Sequence, residues 1–140
     1  MTLDKIRKFI LQNSPKSGQE ILDFIDKVEV VTNSDGVFYY KGGKLRIEDN
    51  FYYLKNNIFH REDGPAIEWA NGKKEWYLNG KRHRTDGPAI EYPSGTKSWW
   101  INGKEHREDG PAVEYASGLK YWCLNGIQLS EQEFNKRIKP

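Results

Sequence analysis

The stretch Asn79-Gly80-Lys81-Arg82-His83-Arg84-Thr85-Asp86-Gly87-Pro88-Ala89 decides how the chain is read, because it returns with few changes on either side. Asp63-Gly64-Pro65-Ala66 precedes Asp86-Gly87-Pro88-Ala89, and Asp109-Gly110-Pro111-Ala112 follows it, each copy 23 positions after the last. His60-Arg61, His83-Arg84 and His106-Arg107 lead into the three tetrads, and Glu68, Glu91 and Glu114 follow them. Trp76, Trp99 and Trp122 recur at one offset, and Asn79-Gly80, Asn102-Gly103 and Asn125-Gly126 close each copy. Self-similarity at a fixed period marks a repeat architecture, in which each supersecondary unit buries its apolar side only by stacking on its neighbours.

Within a copy, the run Ala89 to Tyr92 meets a Ser94-Gly95 turn and then a second run from Thr96 to Ile101. This pattern predicts a β-hairpin. The Gly-Pro pair lacks one backbone donor and holds φ near −65°, so it belongs at the start of a strand or at an edge kink. Pairing across a two-residue turn places Ile67 opposite Trp76, Ile90 opposite Trp99 and Val113 opposite Trp122. One expected face then carries Ile67, Trp69, Trp76 and Leu78 with their counterparts, and the other mixes Ala66, Glu68, Glu75 and Tyr77 with theirs.

Outward from the repeats, Val37 to Tyr40, Leu45 to Glu48 and Phe51 to Leu54 read as further strands, a degenerate start to the same sheet. Two amphipathic stripes, Leu3, Ile6, Phe9, Ile10 and then Ile21, Leu22, Phe24, Ile25, Val28, predict two N-terminal helices, the second behind a Ser17/Glu20 capping box. At the other end Ser130 with Glu133 makes a capping box and Leu129 with Phe134 a hydrophobic staple, which predicts a short helix to about Ile138. The expected fold is mainly β with some α: a single-layer antiparallel sheet of hairpin repeats with N-terminal helices and a C-terminal capping helix. Residues 1–35 form the helical cap and first strand, 36–128 the repeat sheet and 129–140 the closing helix, all one domain.

The 140 residues suit one domain, and the 5 Trp, 8 Tyr and 6 Phe favour sheet over helix. A formal charge of +2, from 22 basic and 20 acidic residues interspersed along the chain, argues against a general DNA binder. Cys123 is the single cysteine, which excludes an intrachain disulfide and fits a reducing compartment. No signal-peptide pattern is present, and no segment approaches the ~20 apolar residues of a membrane helix. The expected location is the cytoplasm, or the host cytoplasm for a viral protein.

The string Asn79 to Ala89, followed by Tyr92 and Gly95, resembles the MORN-type repeat, a β-hairpin unit of similar length. The likeness covers roughly Leu54 to Gly126 and is closer to a variant found in antitoxin-like bacterial proteins and in proteins of bacteriophages and giant viruses. The unit departs from the usual pattern in reading Asp-Gly-Pro-Ala and in its added His-Arg, so membrane association does not carry over. What the resemblance implies is a scaffold or interaction role, including a protein that binds and neutralises another.

Three copies of His-Arg-x-Asp suggest a metal or acid–base site at His60, His83 and His106, but equivalent residues stand two strands apart, roughly 9.5 Å, too far to share an ion held at ~2 Å. The His and Asp then cap the turn and the Arg pairs locally. The ladder Glu68, Glu91, Glu114 has the same two-strand step and reads as salt bridging within the sheet rather than paired carboxylate catalysis. No nucleophile constellation or phosphate-cradling loop occurs, so no enzyme activity and no cofactor or metal is expected. The expected partner is a protein, met by Tyr77, Trp100, Tyr121, Glu68, Glu91, Glu114 and by Arg61, Arg84, Arg107. The alternatives are a nucleotide or nucleic-acid binder, with those arginines on phosphates, and a structural virion or scaffold protein associating through its sheet edge.

Overall fold

The structure, a computed structural model, describes residues 38–39, 44–47, 49–55 and 58–139. Both N-terminal helices expected from the sequence lie outside the described residues. The described chain is mainly β, an antiparallel sheet of many strands followed by one short helix. β1 (Phe38–Tyr39), β2 (Lys44–Ile47) and β3 (Asn50–Lys55) open the sheet, and β4 (Ile58–Phe59) folds back on β3.

β5 (Ile67–Glu68) and β6 (Lys74–Glu75) continue the sheet, followed by β7 (Tyr77–Leu78) and β8 (Lys81–Arg82) as a separate small hairpin. The same four pieces return as β9 (Ile90–Glu91), β10 (Lys97–Ser98), β11 (Trp100–Ile101) and β12 (Lys104–Glu105). β13 (Val113–Glu114), β14 (Lys120–Leu124) and β15 (Ile127–Leu129) end the sheet, whose order runs β1-β2-β3-β5-β6-β9-β10-β13-β14-β15.

The register differs by one residue from the sequence expectation. Ile67 pairs with Glu75 rather than Trp76, Ile90 with Ser98 rather than Trp99, and Val113 with Tyr121 rather than Trp122. The turn is the cause. Gly95 N–H donates to Tyr92 O and Tyr92 N–H donates to Thr96 O, so the loop holds three residues, Pro93-Ser94-Gly95. Gly95 sits at φ +96°, the left-handed position that follows a tight turn and adds one residue to a hairpin. A one-residue slip exchanges the faces of everything beyond the turn.

Glu75 and Tyr77 therefore share a face with Ile67 and Trp69, and the Trp69 indole N–H donates to Glu75 Oε2 at 2.8 Å. Trp76 and Leu78 lie on the opposite side, beside the Arg61 that bonds Glu68.

Asn79-Gly80 does more than close a unit. With φ of +50° and +77° it forms a two-residue turn that pairs Leu78 with Lys81 and Tyr77 with Arg82. The chain changes partners at Trp76, whose N–H donates to Ala89 O in the main sheet while its carbonyl accepts from His83 N–H in the small hairpin. The same change of partner recurs at Trp99 and at Trp122, the last within the unbroken β14.

The core follows the corrected faces. Tyr52 is fully buried beside Phe59, Ala66 and Ile67, with Trp69 and Tyr77 packed against them. Ala66, Ala89 and Ala112 are each wholly enclosed, which explains the small residue after every Gly-Pro. Burying Ile67, Ile90 and Val113 stabilises by roughly 1.5–3 kcal/mol apiece. At the C-terminus α1 (Glu131–Ile138) starts as the sequence predicts: Ser130 Oγ accepts from Glu133 N–H at 3.1 Å, and Phe134 is buried where α1 packs on β14 and β15.

Candidate functional site

The repeated His-Arg-x-Asp-Gly-Pro-Ala loops are built around their arginines. Arg84 Nε donates to Asp86 Oδ1 at 2.8 Å, and Nη1 donates to Pro88 O at 3.0 Å and to Glu91 Oε1 at 3.1 Å. Its guanidinium lies 3.9 Å from the Trp76 ring centroid. Arg61 makes the same contacts with Asp63, Pro65 O, Glu68 and Tyr53, and Arg107 with Asp109, Pro111 O, Glu114 and Trp99. The tetrad glycine closes the other side: a Cβ on Gly87 would stand 2.9 Å from Arg84 Cζ. Glycine is required there for close approach, and its φ is not in the left-handed region.

Each histidine ties the loop that opens its copy to the Asn-Gly turn that closes it. Asn79 N–H donates to His60 Nδ1 at 2.9 Å, and Asn102 and Asn125 donate to His83 and His106 at 3.0 Å each. An accepting Nδ1 leaves the proton on Nε2, which in His60 and His106 lies 3.4 Å from Glu62 and Glu108. Each ring serves a different Asn-Gly turn, and its Nδ1 lone pair is occupied.

Two clefts lie between successive loops, of about 500 and 680 Å³. They correspond residue for residue one copy apart. Trp76, Leu78 and His83 line the first where Trp99, Ile101 and His106 line the second, and the loop of Arg84, Thr85 and Asp86 is shared by both. Every exposed charged residue lining them is a carboxylate: Glu62, Asp63, Asp86, Glu108 and Asp109. Asp63, Asp86 and Asp109 side chains are 86%, 83% and 85% exposed, against 22%, 21% and 19% for Arg61, Arg84 and Arg107. The Arg84 and Arg107 guanidiniums beside Asp86 and Asp109 hold those carboxyls below the ordinary value.

The nine residues expected to meet a partner do not converge. Glu68, Glu91 and Glu114 accept from the three arginines on the cleft side, while Tyr77, Trp100 and Tyr121 occupy the opposite face because of the register shift. Tyr77 packs on Phe59 with ring centroids 5.4 Å apart, and burial, with repulsion from Glu75, raises its hydroxyl pKa against the lowering effect of Arg82. Trp100 donates its indole N–H to Ser98 Oγ and lies under Arg82. On that face a smaller groove of about 410 Å³ passes Trp100 and the exposed Tyr92 and Tyr115.

Cys123 fills the position of Tyr77 and Trp100. Burial, then the Glu105 carboxylate, pushes its thiol up to about 11, so it is no thiolate at neutral pH. The cleft residues Trp76, Trp99, Leu78 and Ile101 were assigned to the wrong face by the two-residue turn. A glycine ends the three-residue loop in every copy, but it suits a two-residue turn equally, so no residue of the sequence marked the difference.

No protein-family model, curated protein or solved structure matches the chain.

Proposed function

We propose that the chain is a non-enzymatic, MORN-like module that binds another protein, acting as an antitoxin-like or phage-borne inhibitor, with its 23-residue hairpin units forming a single-layer sheet capped by terminal helices. The observation that carries the binding role is the pair of clefts repeated residue for residue from one copy to the next. Their walls are preorganised, because each loop is fixed by its own arginine and by a histidine bond to the next turn. Preorganised walls lower the ordering cost of binding. Phosphate recognition by Arg61, Arg84 and Arg107 is disfavoured by the same geometry: Nε and Nη1 donate inward, and the exposed groups beside them repel a polyanion.

The test uses Thr85→Trp, since Thr85 is exposed and lines both clefts. The parent chain, immobilised, captures a protein partner identified by mass spectrometry. Thr85→Trp abolishes that capture while unfolding stays cooperative. Undiminished capture would place the binding surface elsewhere, the groove beside Tyr92 and Tyr115 being the next candidate.

A further inference from the structure

We infer that the paired clefts receive an extended, proline-rich protein segment that carries a Lys or Arg side chain at every third position. This inference rests on the protein-binding reading and supplies the chemistry of the partner. Its first support is charge. The buried-side guanidiniums are each answered by an Asp and a Glu, so what the clefts present to a visitor is the row Glu62, Asp63, Asp86, Glu108, Asp109 above a floor of Trp and aliphatic side chains. A floor of Trp76 with Leu78, or Trp99 with Ile101, suits the methylene stem of a long cationic side chain, and the rim carboxylates suit its head. Each guanidinium is shared between two carboxylates, so one negative charge per loop is left over at the rim: an acidic side chain meets repulsion there, and a purely apolar one gains nothing from it.

The second support is spacing. β6 pairs with β9 and β9 with β10, so equivalent points in the two clefts are separated by two strand widths, about 9.5 Å. A ligand lying across the strands must offer like side chains at that interval on one side. In a β-strand, side chains on one face recur every two residues, about 6.7 Å, and the third residue along points the opposite way. A polyproline II segment has three residues per turn at 3.1 Å each, which returns a side chain to the same side every ~9.3 Å. Period three in an extended left-handed helix fits, and period two in a strand does not. The polyproline II form is also ordered before binding, which keeps the entropic cost low.

Two synthetic peptides of identical composition test this. One repeats Pro-Pro-Arg four times, and the other places eight prolines before four consecutive arginines. Titrated into the intact chain and followed by tryptophan fluorescence and calorimetry, the triplet peptide is expected to bind about ten-fold more tightly, the gain from engaging the second cleft along with the first. Asp86→Asn, at the loop shared by both clefts, removes that advantage while the circular dichroism spectrum is retained, and Pro-Pro-Glu triplets do not bind. Equal affinity for the two isomers would reduce the effect to unspecific charge attraction and overturn the inference. Absence of binding by both peptides, in a preparation whose protein partner is still released by Thr85→Trp, would also overturn it while leaving the protein-binding reading intact.

Discussion

Arg84→Lys measures how much of the fold rests on the planar guanidinium. Lysine keeps the charge but cannot reproduce the fork that reaches Asp86, Pro88 O and Glu91 together, nor lie flat on the Trp76 ring at 3.9 Å. The charge-assisted bond to the Pro88 carbonyl contributes roughly 1.5 kcal/mol, the stack on Trp76 about 0.5–1, and the half-exposed Glu91 pair at most ~0.5. The expected loss is about 2–3 kcal/mol, close to a 10 °C fall in Tm for a chain of this size.

Urea unfolding followed by far-UV circular dichroism gives the first number and differential scanning calorimetry the second. A double-mutant cycle with Trp76→Leu should return a coupling of roughly 0.5–2 kcal/mol. An Arg84→Lys protein within ~0.5 kcal/mol of its parent, or a cycle with no coupling, would refute the view that these loops are held by stacked arginines rather than by their Gly-Pro turns.

Ala89→Leu inserts bulk at a fully enclosed site and should cost about 1–3 kcal/mol in chemical denaturation, whereas Lys97→Ala on the exposed side should be neutral. Phe134→Ala, which empties the contact of α1 with β14 and β15, is expected to cost roughly 3 kcal/mol, read as an earlier loss of helical signal. The carboxyls of Asp86 and Asp109 lie below their ordinary 3.8 in the folded chain, so the stability they add is complete above pH 3.8 and disappears as pH falls further. Replacing both by Asn should flatten the acid limb of the stability profile. The Cys123 thiol, raised to about 11, should react with iodoacetamide at pH 8 far more slowly than in urea, and equal rates would place it outside the sheet.

The antiparallel sheet, the strands before the first full copy and the start of α1 at Ser130 were legible because they depend on local signals: alternation, Asn-Gly turns and a serine with a glutamate three residues later. The sheet faces were not. They hinge on whether Ser94-Gly95 closes a two-residue turn or ends a three-residue one, and both are compatible with Gly95, whose positive φ only the folded loop reveals. That single residue moved Trp76 to the cleft side and Tyr77 to the other, splitting the expected partner-binding set. The local pairing expected of the arginines was readable from Asp two positions on. Their stacking on an aromatic from eight positions back was hidden, because it requires knowing how the strand before each loop and the loop itself are brought together in space.

The His83–Asn102 bond and its two equivalents each begin and end inside one 23-residue segment, so the molecule has a property that belongs to masonry rather than to most globular folds: every block carries its own tie and is cut to one template. If residues 83–105 were excised, Arg82 would run directly into His106, and Asn125 would still find its acceptor while β6 met β13 in the place of β9. Length is thereby uncoupled from architecture. Such a shortened chain should still melt cooperatively at a lower temperature, and tandem duplication or loss of one segment would change how many clefts the chain offers without redesigning any of them.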